Sequence, residues 1–135
     1  SRIKEYWKSI LFENNDYIVF NKDPELSVHS GSNNQFGLID ISRAAHESDE
    51  IDLCHRIDKS TSGCIVLAKN KKFLRNFHTQ LKNDKITKKY EAILMGKFKG
   101  NQRIETKIDS STKEFLAEAP LCVQSISYSG VGKCP

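Results

Sequence analysis

Residues 53–69 read LCHRIDKSTSGCIVLAK, and the rest of the chain is read outward from them. The stretch opens with an imidazole, a guanidinium and a carboxylate at His55, Arg56 and Asp58. It then passes a hydroxyl-rich turn at Ser60, Thr61 and Ser62, closed by Gly63, and ends in an apolar run over 64–68. A short apolar run bounded by turn residues reads as a buried strand. The polar residues before it then lie on a loop that feeds into the core, held by a rigid element without belonging to it. Catalytic side chains are commonly found in such positions.

At 135 residues the chain suits one domain over 1–135 with a real core. Its 38% hydrophobic and 28% charged residues are those of a soluble globular protein. No apolar segment approaches the roughly 20 residues that a membrane span needs. The start, SRIKEYWKSI, lacks the uninterrupted apolar segment of a signal peptide, so a cytoplasmic protein is expected. The four cysteines, Cys54, Cys64, Cys122 and Cys134, include no CxxC pair, and neither a disulfide nor a metal is expected from them. Zinc held by Cys54, His55 and Cys64 is the functional alternative to free thiols, but zinc ligands usually come in closer pairs.

Charge is uneven. Residues 69–89 carry eight basic side chains (Lys69, Lys71, Lys72, Arg75, Lys82, Lys85, Lys88, Lys89) against one acid, Asp84, a local excess of +7 in a chain of net charge +4. A basic stripe on a slightly acidic body points to a polyanion, and among polyanions to nucleic acid. The alternative is a solvated helix face that binds nothing.

Before the opening stretch, ILFE and YIVF flank Asn14, Asn15 and Asp16, which predicts a hairpin ended before Pro24. Leu26, Ser27, Val28 and His29 alternate like a short strand and run into a polar loop over 30–34. Phe36, Leu38, Ile39, Ala44 and Ala45 fit one face of a helix over 36–46. After the stretch, Phe73, Leu74, Phe77 and Leu81 recur at helical spacing, predicting an amphipathic helix over 71–82 with its apolar stripe in the core. Strands are expected over 86–95, with Tyr90, Ala92 and Leu94 on one face, over 103–108, and over 121–126. A short helix is a candidate before Pro120.

Taken alone, Asp58 is one acid among 17, and a turn residue bonding nearby amides is the plain reading. Its neighbours change that. HRIDKSTSG closely resembles the HRLD-x-x-TSG motif of pseudouridine synthases of the RluA/RluC type, departing only at Ile57, which keeps the apolar volume. LFENNDYIVFNKDPELSVHSG resembles the family's opening segment, with Glu25 where glycine is common. QFGLIDISRAAH resembles the helix that follows, and KNKKFLRNFHTQLKNDKITKKYEAILMG the helix and strand after the motif. The resemblance runs over 10–96 and is greatest to large-subunit ribosomal RNA members.

The resemblance implies an α+β fold, a mixed, largely antiparallel β-sheet with packed helices, as an incomplete form of the family's catalytic core. It implies isomerisation of uridine to pseudouridine in ribosomal RNA, with Asp58 as catalytic carboxylate and no cofactor or metal. Uracil must leave the ribose at N1, turn, and return through C5, and a carboxylate can serve the sugar centre as nucleophile or as base. The uridine must leave its stack, and Tyr90 is the implied platform for it, the alternative being a core tyrosine. Arg56 is implied beside the flipped base, the alternative being a salt bridge to an acid such as Asp52. His55 reads as a hydrogen-bonding residue that orients the loop. Lys71, Lys72, Arg75, Lys88 and Lys89 would contact RNA phosphates, with Lys22 and His29 as weaker candidates.

The family's later TGR-x-HQIR-type stretch, with the cation that pairs with the catalytic aspartate, is not found after Gly96. The tail over 110–135 reads as divergent, and no S4-type RNA-binding domain is expected before Ser1. The expected partner is RNA, with no membrane and no obligate protein partner. An RNA-binding module without catalysis is the alternative function.

Overall fold

The apolar end of the opening stretch is an inner strand of a four-stranded antiparallel sheet. In chain order the elements of the structure, a computed structural model, are α1 (Arg2–Lys8), β1 (Ile10–Glu13), β2 (Tyr17–Lys22), α2 (Leu38–His46), β3 (Asp52–Leu53), β4 (Gly63–Ala68), α3 (Lys71–Lys82), β5 (Lys88–Met95) and β6 (Leu121–Tyr128). Residues 1–31, 36–95 and 121–128 are described, with 92–95 and 121–128 described by their backbone alone. The expected strand over 103–108, the helix before Pro120 and most of the loop over 30–34 lie outside them. The chain divides into two compact units, Ser1–Gln80 and Leu81–Pro135.

In the first unit the sheet order is β1-β2-β4-β3. The predicted hairpin forms because the Asn14 side-chain oxygen accepts the amides of Asp16 (2.8 Å) and Tyr17 (2.9 Å), a turn that asparagine builds by itself. β2 and β4 run antiparallel, with Ile18 opposite Leu67, Phe20 opposite Ile65 and Lys22 opposite Gly63. The period-2 alternation turns Ile18, Phe20 and Lys22 inward, together with Ile65 and Leu67, and all five are buried. On the other face, Tyr17 stacks on Phe73 of α3 at 4.7 Å.

α3 has the predicted bounds, started by Asn70, whose side chain accepts the Phe73 amide at 2.8 Å. Its apolar stripe is only half-buried; none of its residues reaches the core. α2 begins at Leu38, two residues later than expected, and Phe36 is left 65% exposed. Its inward face is Leu38, Ile39 and Ser42, whereas Ala44 is exposed.

Leu26, Ser27, Val28 and His29 form no strand. Their backbone serves α2 instead: the carbonyls of Ser27 and Val28 accept the amides of Leu38 (2.8 Å) and Ile39 (3.1 Å), two donors with no partner inside the helix. The alternation that predicted a strand comes from Val28 turning into the core, 3% exposed.

α1 docks by Tyr6, which stacks on Phe20 at 5.1 Å and bonds the Nε2 of His46 on α2 at 3.0 Å. Burial pushes the Tyr6 hydroxyl up to about 12, so it stays protonated. Burial also holds the His46 imidazole below 6.5, against the upward pull of Glu13. Because the folded value lies below the unfolded one, the unfolded chain binds more protons as pH falls under 6.5. The stability tied to neutral His46 is therefore full above 6.5 and is lost as pH falls from there toward the folded value. The melting temperature is expected to drop more between pH 7.5 and 5.5 in the wild type than in His46→Asn; equal drops would contradict this.

In the second unit β5 and β6 pair antiparallel from Lys88 opposite Tyr128 to Met95 opposite Leu121. The strands expected over 86–95 and 121–126 are thus both present, the second one two residues longer than its sequence signal.

Candidate active site

The loop over 54–62 is pinned at both ends. At its start, the Cys54 amide donates to the Val66 carbonyl at 3.0 Å, and the Val66 amide donates to His55 Nε2, also at 3.0 Å. An Nε2 that accepts leaves the ring proton on Nδ1, so His55 is a neutral imidazole with a fixed ring, stacked on Phe77 at 5.8 Å. The bond ties the start of the loop to β4.

In the middle, Ile57 turns into the core at 9% exposure, while Arg56 and Asp58 on either side of it are exposed. The alternation in HRID therefore places a guanidinium and a carboxylate in solvent on a backbone held by an apolar plug. Beyond them residues 58–61 make a β-turn, closed by the Thr61 amide donating to the Asp58 carbonyl at 3.0 Å. The Lys59 carbonyl accepts two donors, the Glu25 amide at 2.9 Å and Lys22 Nζ at 2.9 Å.

Gly63 ends the loop with φ +117°, a conformation open to glycine and strained for any L side chain, although a Cβ there would meet nothing within 4 Å. Gly63→Ala is therefore expected to cost about 2 kcal/mol through backbone strain alone, read by urea denaturation. An unchanged midpoint would contradict the assigned conformation.

Lys22 corrects its sequence reading. Expected as a surface candidate beside a loop, it is completely buried, with its ammonium bonded to backbone carbonyls. It was legible in one respect, as the third member of the inward row after Ile18 and Phe20. Glu25, at a position where the resemblance implied glycine, has φ +70°, a backbone shape that glycine adopts without strain. His29 is exposed.

Arg56 makes no ion pair among the described residues, and Asp52, its suggested partner, pairs with Arg43 at 4.0 Å instead. Cys54 is buried at 1% exposure, and burial pushes its thiol up to about 12, while Cys64 is exposed; the two do not share one environment.

Lys71, Lys72 and Arg75 are exposed on α3. Lys71 and Arg75 line a cleft of about 240 Å³ with Asp49, Glu50 and Asp52, so carboxylates cancel part of their field. Lys69 is engaged with the hairpin, 3.5 Å from Glu13 and donating to the Asn14 carbonyl at 3.0 Å. Lys88, Lys89 and Tyr90 lie on β5 in the second unit, Lys89 exposed and the other two half-buried.

The α+β fold and the HRID loop both point one way, and so do the comparisons. The family model of RNA pseudouridylate synthase matches residues 16–128. Ribosomal large subunit pseudouridine synthase C of Buchnera aphidicola subsp. Baizongia pistaciae is 43% identical over 88 residues, covering 64% of this chain and 28% of that protein. The protein of the same name in Haemophilus influenzae is 38% identical over 96 residues, covering 70% and 30%. The solved structure of human RNA pseudouridylate synthase domain containing 4 superposes with TM-score 0.58 at 28% identity, over 70% of this chain and 37% of that one. Human RNA pseudouridylate synthase domain containing 1 gives 0.58 at 27%, over 68% and 34%.

The chain belongs to the RNA pseudouridylate synthase family. It spans 28% and 30% of the length of the two curated relatives. Among the described residues no helix is long and apolar enough to cross a membrane.

Proposed function

We propose that the chain carries the catalytic carboxylate, Asp58, of an enzyme that isomerises uridine to pseudouridine in large-subunit ribosomal RNA. The observation that carries this reading is an exposed carboxylate on a loop anchored at both ends, within the HRIDKSTSG motif of a family member. In the reaction the C1′–N1 bond breaks, the uracil turns in place, a C1′–C5 bond forms, and the C5 proton is released while N1 gains one. Asp58 serves the sugar carbon either by attacking C1′ or by taking a sugar proton, and both need an ionised carboxylate open to substrate.

In this reading Arg56, exposed two residues before Asp58, stands beside the flipped base, and Tyr90 offers a ring for stacking. Lys71, Lys72, Arg75, Lys88 and Lys89 hold phosphates; of the three on α3, Lys72 contributes most, because Lys71 and Arg75 sit near acids. Residues 1–135 act as part of one catalytic domain.

Forming a bond at C5 expels the hydrogen there, so RNA tritiated at uridine C5 reports the reaction directly. The chain is expected to release tritium to water from a large-subunit ribosomal RNA fragment. Salt-sensitive RNA binding with no release would make it an RNA-binding module without catalysis.

A further inference from the structure

α1 has two flanks, because residues three and four apart share a face of a helix. Arg2, Glu5, Tyr6 and Ser9 form the inner one: Tyr6 is in the core, and all four line a cleft of about 510 Å³ that reaches Lys59, in the turn after Asp58. Ile3, Lys4, Trp7 and Lys8 are left on the outer flank, and all four are exposed. Ile3 and Trp7, one turn apart, are 43% and 45% exposed, an apolar strip that the packing of α1 does not use.

Trp7 is exposed without being loose. Its ring lies 4.7 Å from that of His46 and, edge to face, 5.5 Å from that of Tyr6. Tyr6 is itself fixed by its stack on Phe20 and its bond to His46. The ring has therefore lost its freedom on folding, so a second flat surface laid against it costs little further order.

The charges decide what that surface belongs to. In the cleft, Glu5, Asp23 and Glu25 outnumber Arg2 and Lys59, so phosphates are repelled there. The outer flank holds Lys4 and Lys8 and no acid. Among the described residues neither lysine forms an ion pair, and Glu13, which faces His46 at 3.5 Å, is also paired with Lys69 at 3.5 Å. Two cations beside an exposed aromatic ring match a single strand of nucleic acid, in which phosphates meet the lysines and a base meets the ring. A protein covering the apolar strip would instead have to offset the desolvation of two unpaired ammoniums.

We propose that the outer flank of α1 is an RNA-contact surface on which Trp7 stacks an unpaired base of the substrate strand, with Lys4 and Lys8 on the neighbouring phosphates. The inference rests on the reading of RNA as the partner and not on the role of Asp58.

Trp7 is the chain's single tryptophan, so intrinsic tryptophan emission reports this flank alone. Titration of the full 135-residue chain with an unpaired oligoribonucleotide of about ten nucleotides is expected to quench that emission by about half, with the midpoint that anisotropy of labelled RNA gives for binding. Heparin, a polyanion without bases, is expected to bind and leave the emission nearly unchanged. RNA that binds without quenching, or heparin that quenches as deeply as RNA, overturns the proposal. Emission that shifts with protein concentration alone, before RNA is added, assigns the flank to a second copy of the chain and overturns it as well. This arm uses the unaltered chain, so it is decided even if a variant fails to fold. In a second arm, Trp7→Ala is expected to weaken RNA binding about tenfold and Trp7→Phe by no more than about threefold. Lys4→Gln combined with Lys8→Gln is expected to lower the slope of log affinity against log salt by about 1.4, two phosphates at about 0.7 each. An Ala variant that binds as tightly as wild type, or an unchanged slope, contradicts the proposal. Quenching without tritium release from uridine C5 keeps this surface and removes catalysis, and tritium release with Trp7 emission unchanged does the reverse.

Discussion

Asp58→Asn is expected to lower the single-turnover rate of uridine isomerisation by about a thousandfold or more, on the order of 4 kcal/mol of transition-state stabilisation, with RNA affinity within about threefold. The amide of asparagine has the shape of the carboxylate but can neither attack a sugar carbon nor take its proton. The turn does not depend on the lost charge. It is closed through the Asp58 carbonyl and held through the Lys59 carbonyl, and the carboxylate makes no ion pair among the described residues. The melting temperature should therefore move by no more than about 2 °C, which separates lost chemistry from lost folding. An Asn variant as active as wild type would remove Asp58 from the mechanism.

The largest expected effect on stability is at Gly37, the residue before α2. A Cβ at this position would lie 2.3 Å from the carbonyl carbon of His29 and 2.7 Å from both His29 O and Ser30 N. These are backbone atoms that cannot swing aside, so Gly37→Ala must push apart the segment over 27–30 and the start of α2. That strains the bonds from the Leu38 and Ile39 amides to Ser27 and Val28, and displaces Leu38 and Ile39 from the core, where they are 0% and 4% exposed. We expect a loss of about 3 kcal/mol, a drop in melting temperature of more than about 10 °C. A drop of under about 2 °C by calorimetry would show that the two segments are not packed this closely.

What the sequence disclosed follows from how local each feature is. The hairpin over 10–22, β4 and α3 were legible because a side-chain turn, an apolar run and a 3.6-residue stripe each act within a few residues. The segment over 26–29 was misread because its alternation reflects one buried valine, while the carbonyls of Ser27 and Val28 are used by the start of α2. Phe36 fitted the apolar face of α2 on paper, but the helix starts after it and leaves it outside.

At the site, the motif singled out Asp58 and Arg56, and the exposed–buried–exposed alternation about Ile57 shows how the motif presents them. The buried role of Lys22 was hidden because its partners are carbonyls, which every residue has and no sequence marks. The same holds for the acids at 49–52 facing Lys71 and Arg75: charge counted along the chain exceeds the charge left free once the helix is folded beside them.

The most direct measurement is a crystal structure of the chain with an RNA hairpin carrying the modified uridine. The uridine is expected to be turned out of its stack, with C1′ within about 4 Å of an Asp58 carboxylate oxygen. A uridine bound elsewhere, with Asp58 facing only solvent, would contradict it.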